Sequence, residues 1–170
     1  MSIVNKLIAH SKSNIYPFHM PGHKRRIYPA APLKSFYEMD ITEIDGFDNL
    51  HDATGIIRAS EKRAAQIFGA DNTYFLVNGT TSGMLAAICG TVTSGDAIVV
   101  ARNCHRCVYN AVMLSGAQPY YVYPERESYC DINAGISAEQ IEKMLCNITN
   151  AKRMAVVITS PTYEGVISDV

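Results

Sequence analysis

Three short polar runs hold the residues most able to do chemistry: Asn78-Gly79-Thr80-Thr81-Ser82, Asn103-Cys104-His105 and Ser160-Pro161-Thr162-Tyr163. In the first, a glycine turn is followed by hydroxyl residues where a helix should start. Free N–H groups, the positive end of the helix dipole and the hydroxyls together make a ready anion site, well suited to a phosphate. The same hydroxyls are also ordinary helix caps, and both readings stand at this point. His105 is either a cap or a ligand-facing imidazole. Cys104-His-Arg-Cys107 has the C-x-x-C spacing of metal and redox sites, but no second close pair accompanies it. If Cys104 sits at a helix N-terminus, its thiol pKa should be lowered.

These runs need elements to position them, and the apolar periodicity supplies candidates. Residues 74–77 form a short apolar run that reads as a strand, and Met84, Leu85, Ala87 and Ile88 follow at helical spacing. Residues 97–101 are continuously apolar, as in a strand buried on both faces. A helix over 105–115 ends at Gly116, and a strand covers 119–123. A helix over 137–146 opens with the capping pattern Ser137-Ala138-Glu139-Gln140, and a fourth interior strand covers 154–159. Strands alternating with helices predict an α/β fold with a mostly parallel sheet and helices on both faces. Each polar run then follows the carboxyl end of a strand, on the one sheet edge where ligands bind in open parallel sheets.

The first part of the chain is less regular. Residues 3–10 predict a short amphipathic helix, and residues 59–68 another, stopped by Gly69. Between them, residues 16–26 carry two prolines and a glycine and read as an extended arm, continued by Pro29 and Pro32, that should lie over another surface. The stretch 40–52 contains Asp40, Glu43, Asp45, Asp48 and Asp52. It reads either as a solvated loop with caps or as a negative rim for a cationic substrate. The division expected is 1–52 for helix, arm and acidic loop, and 53–170 for a partial α/β domain.

The formal net charge of −1 and the lack of a basic stripe argue against nucleic-acid binding. No apolar run approaches the roughly 20 residues of a membrane span, and residues 1–10 lack a signal-peptide core, so a cytoplasmic protein is expected. Five scattered cysteines do not suggest a disulfide framework, and no metal site is expected.

The runs Phe18-His19-Met20-Pro21-Gly22-His23-Lys24, Asp40-Ile41-Thr42-Glu43, Asp48-Asn49-Leu50-His51, Phe68-Gly69-Ala70-Asp71, Phe75-Leu76-Val77-Asn78-Gly79-Thr80-Thr81, Arg102-Asn103-Cys104-His105 and Ile158-Thr159-Ser160-Pro161-Thr162-Tyr163-Glu164-Gly165 resemble, in order, the ornithine/lysine/arginine decarboxylase family. That resemblance implies a pyridoxal 5'-phosphate enzyme of the aspartate-aminotransferase fold (fold type I), here an incomplete three-layer large domain preceded by an arm. It implies that Gly79, Thr80 and Thr81 hold the cofactor phosphate. His105 is implied to stack on the pyridine ring and position the substrate, while Ser160 and Thr162 line the pocket. His23 and Lys24 are implied to lie near a homodimer interface and the site mouth. The implied substrate is a basic amino acid losing its α-carboxylate, and the cofactor is the electron sink.

Two groups the family needs have no match among these residues: the Schiff-base lysine of a Ser-x-His-Lys-like motif, and the aspartate that pairs with the pyridine nitrogen. The seven lysines, Lys6, Lys12, Lys24, Lys34, Lys62, Lys143 and Lys152, all lie outside such a motif. The chain reads to Ser168-Asp169-Val170, where a further helix is expected, so it reads as the N-terminal portion of a longer enzyme, inactive alone and prone to self-association or to pairing with a C-terminal part. Alternatives are a non-catalytic binding or regulatory fragment, or part of an aminotransferase or carbon–sulfur lyase.

Overall fold

An uninterrupted apolar run has no polar face to give to water, and Ala97–Ala101 forms strand β1 at the centre of a sheet, buried at all five positions. Side chains alternate across a strand, so burial of every residue means that both sheet faces are covered. The computed structural model describes residues 2–26 and 30–169. Pro29 and Val170, assigned above to the arm and to the start of a further helix, lie outside them. The chain divides into two compact units, Met1–Phe75 and Leu76–Val170.

In the second unit, β2 (Gln118–Val122) and β5 (Met154–Val157) flank β1, both parallel to it. Ala97 is in register with both Gln118 and Met154, so the three strands start level. Buried Asp96, only 2% exposed, fixes that start. Its carboxylate accepts from the Thr93 N–H at 2.8 Å and from the Arg153 guanidinium at 2.7 Å. Its carbonyl accepts from the Gln118 N–H at 2.9 Å, and the Ala97 N–H donates to the Arg153 carbonyl at 2.9 Å. The hydrogen bond from Arg153, before that from Thr93, holds the Asp96 carboxyl below the usual range.

Helices α4 (Gly79–Thr91), α5 (Arg106–Ser115) and α6 (Ala138–Cys146) complete the unit. Ile88 from α4 and Val108, Ala111 and Val112 from α5 join β1 in one core, with Ile141, Met144 and Leu145 of α6 packed against it. Gly116 ends α5 in the left-handed conformation at φ 70°. Ser137 and Gln140 form the full reciprocal capping box expected from their spacing. A small antiparallel pair, β3 (Arg126–Glu127) with β4 (Ile132–Asn133), is too short for any periodicity to signal.

Two strand expectations are corrected. Residues 74–77 are irregular and exposed rather than a strand, because no neighbouring strand among the described residues offers a ladder. The run at 154–159 is a strand only to Val157, and among the described residues it is an edge rather than an interior strand: Met154 and Val156 are 48% and 41% exposed.

In the first unit, α1 (Ile3–Ser11) packs against α2 (Lys34–Met39) and α3 (Ile56–Phe68), and Gly69 closes α3 in the left-handed conformation. Helix α2 and the single 3-10 turn Ala31–Leu33 before it lie where Pro32 had suggested more arm. The arm itself turns back on its own unit. The Lys24 ammonium donates to the Phe18 and His19 carbonyls at 3.3 and 2.5 Å, and the His23 ring meets Tyr37 at 4.8 Å. Within the acidic stretch, Asp48 is a cap. Its carboxylate accepts from the N–H groups of Asn49, Thr54, Gly55, Ile57 and Arg58 at the entrance to α3. These amides, Thr54 first, lower its pKa from the ordinary 3.8 to about 2.

Two tests follow from this packing. Ile98, 1% exposed in β1, should cost about 2–5 kcal/mol as Ile98→Ala in urea unfolding, through lost transfer energy and the cavity left behind. Because the Asp48 pKa is depressed on folding, its contribution is present in full above 3.8 and is lost as pH falls through about 2. Thermal unfolding of an Asp48→Asn variant should therefore show a flatter pH dependence across that window than the parent, with a lower melting temperature at neutral pH.

Candidate functional site

Strands that start level also end nearly level, and the residues leaving β1 and β5 meet the first turn of α4 around a cavity of about 450 Å3. Thr80, Thr81 and Met84 form the α4 wall; His105, Cys107 and Val108 form the β1 exit and α5 wall; residues 157–161 form the β5 wall.

The α4 wall is built by backbone conformation more than by capping. Asn78 is the N-cap residue and its side chain makes no cap hydrogen bond. Gly79 opens the helix at φ 71°. A Cβ there would meet open space, so glycine serves the left-handed φ and not a tight fit. At Gly83 a Cβ would stand 2.5 Å from Cδ1 of the exposed Leu76 side chain, which would have to turn aside. Of the three hydroxyls expected as caps, Ser82 donates to the Gly79 carbonyl at 2.9 Å, inside the helix. Thr80 and Thr81 line the cavity instead. First-turn amides with no side-chain acceptor, next to two hydroxyls at the positive end of the dipole, fit a phosphate group.

His105 is the N-cap of α5, and its Nδ1 accepts from the Cys107 N–H at 3.2 Å. That bond places the proton of the neutral ring on Nε2. Beside it the Asn103 Oδ1 is buried with no hydrogen-bond partner among the described residues. The expected lowering of the Cys104 pKa is corrected: burial pushes this thiol up, outweighing the hydrogen bond from Thr159. The Thr159 hydroxyl donates to Cys104 Sγ at 3.4 Å, and the thiol donates to the Val157 carbonyl at 3.8 Å. The C-x-x-C spacing thus places Cys104 in a packed junction and Cys107 on the cavity wall. Among the described residues no three His, Cys, Asp or Glu side chains cluster as metal ligands.

Four of the six residues singled out from the sequence, Thr80, Thr81, His105 and Ser160, therefore line one cavity, and Gly79 shapes its α4 entrance. The Ser160 hydroxyl also accepts from the Ser168 N–H at 3.0 Å. Thr162 is not among the lining residues. It is buried in its own loop, its N–H donating to the Val166 carbonyl at 2.8 Å and its hydroxyl accepting from the Val166 N–H at 3.2 Å. The sequence reading passed over Met84, Val108 and Thr159. Met84 stands four residues from Thr80, and Val108 three from His105, both on the same helix face.

Fold and cavity together define a parallel α/β domain with a phosphate-ready helix end at the carboxyl edge of its sheet. A sequence model of the "Orn/Lys/Arg decarboxylase, major domain" family matches residues 2–170. The chain belongs to that family, as the ordered motifs had suggested. It is 38% identical over 167 residues to the uncharacterized protein YaaO of Bacillus subtilis and 36% identical over 168 residues to the arginine decarboxylase of Halalkalibacterium halodurans. Each alignment covers 96% of this chain and 34% of the relative, so the chain spans about a third of the length of these curated relatives. The solved structure of Escherichia coli constitutive lysine decarboxylase superposes with a TM-score of 0.75 at 25% identity, over 96% of this chain and 25% of that one. No helix among the described residues is long and apolar enough to cross a membrane.

Gly79→Ala should lower stability by about 1–2 kcal/mol in denaturant unfolding, the ordinary cost of a left-handed alanine. An unchanged midpoint would show that α4 can start with a different backbone.

Proposed function

We propose that this chain is the N-terminal, cofactor-binding portion of a pyridoxal 5'-phosphate-dependent decarboxylase of basic amino acids. The observation that carries this reading is the single cavity joining the uncapped start of α4, with Thr80 and Thr81, to the His105 ring. The first-turn amides and the Thr80 and Thr81 hydroxyls hold the phosphate. His105, fixed by its cap bond, offers its ring and an Nε2–H donor to the cofactor and substrate. Met84, Val108 and Ile158 supply apolar walls that keep water from the ring. When bound, pyridoxal phosphate supplies an electron sink for the pair left as the α-carboxylate departs. The basic-amino-acid class rests on the family match and on relatives named for arginine and lysine. The same resemblance supports a cytoplasmic homodimer.

The seven lysines of this chain lie outside the motif expected of a tethering amine. The 170 residues alone are therefore proposed to bind the cofactor reversibly without turnover, and this is also what a purely binding piece would do. Titration of the purified chain with pyridoxal 5'-phosphate, followed by absorbance, should show saturable binding that phosphate competes away. The double variant Thr80→Val/Thr81→Val should weaken it roughly tenfold or more, from the loss of two hydrogen bonds to a charged group. Borohydride should trap no single lysine, and arginine, lysine and ornithine should release no carbon dioxide at an enzyme-like rate. Absence of binding, or equal binding by the double variant, would refute the cofactor assignment.

A further inference from the structure

The two walls that carry His105 and Ser160 leave different strands, 53 positions apart between Cys104 and Val157, and yet they are joined at one buried point. Cys104, immediately before His105, is buried, and its Sγ sits between the Thr159 hydroxyl at 3.4 Å and the Val157 carbonyl at 3.8 Å. Thr159 immediately precedes Ser160 and itself lines the cavity. We infer that Cys104 and Thr159 are a positioning pair: their hydrogen bond sets the separation of the β1 and β5 exits and so holds His105 at the distance from the β5 wall at which the cavity accepts its ligand.

The chemistry is suited to that task. A thiol that both accepts from a hydroxyl and donates to a carbonyl ties three groups at one atom, and its raised pKa keeps the donating proton in place at neutral pH. The effect on the ligand is indirect. The bond orders residues 103–105, His105 then caps α5 through the Cys107 N–H, and the ring is thereby aimed. The inference rests on the proposed cofactor site for its ligand but not for its geometry, and the test uses both.

Thr159→Val preserves shape and removes the hydroxyl, whereas Thr159→Ser keeps it. In the full chain, Thr159→Val should weaken pyridoxal 5'-phosphate by about three- to tenfold, the range allowed by the loss of one neutral hydrogen bond, and Thr159→Ser should bind within twofold of the parent. Native-state hydrogen exchange provides a readout independent of any ligand. The Cys107 and Val108 amides should exchange several-fold faster in Thr159→Val than in the parent or Thr159→Ser, while β2 amides remain unchanged. Equal exchange at Cys107 in all three proteins overturns the positioning role. So does a Thr159→Ser variant as impaired as Thr159→Val. If the parent itself fails to bind pyridoxal phosphate, the functional reading falls, and the exchange rates alone decide the pairing.

Discussion

The second unit depends on the way one buried carboxylate fixes where its strands begin. Asp96 is out of water and would be strongly disfavoured there without partners. Thr93 and Arg153 provide them, and the same few residues exchange backbone hydrogen bonds with the first residues of β1 and β2. Arg153 is the residue immediately before β5. Removing the half-exposed Arg153 guanidinium would leave the buried Asp96 carboxylate with Thr93 alone, so the pair specifies an arrangement more than it adds net stability. What it specifies is a common starting line for three parallel strands, and with strands of four or five residues that line is carried through to the other edge.

At that other edge the parts of the cavity come from segments far apart in sequence, and two of them share the Thr159–Cys104 contact. The α4 wall depends on a glycine conformation, the β1 exit on a histidine that caps a helix, and the β5 exit on hydroxyl contacts. Thr80 and Thr81 are exposed residues on a first turn and contribute little to the core, which is why they are free to line the cavity. His105 both caps a helix and lines the cavity, and the nitrogen that caps α5 also determines which nitrogen bears the proton.

Much of this was legible in the sequence, and the parts that were not have definite physical reasons. β1 was marked at its observed bounds because a fully apolar run has only one place to go. Gly69, Gly116 and the Ser137–Gln140 box marked helix ends because those signals are local and depend on nothing distant. The strand expected at residues 74–77 and the interior status expected at 154–159 depend on neighbours, which periodicity does not register. The expectation for the Cys104 pKa followed the general rule for helix starts, but burial raises it and is a property of the folded chain. Thr162 looked like its neighbours in type and spacing, and only the loop geometry shows that its hydrogen bonds are spent on Val166.

The Asp96–Arg153 pair and the cavity lie at opposite ends of the same three strands. Residues that keep the second unit folded, such as Asp96 and Arg153, are thereby set apart from residues that line the cavity, such as Thr80 and His105. Sequence drift at the cavity edge is then buffered from the cost of unfolding. A lineage could retune what the cavity accepts while leaving the sheet that supports it untouched.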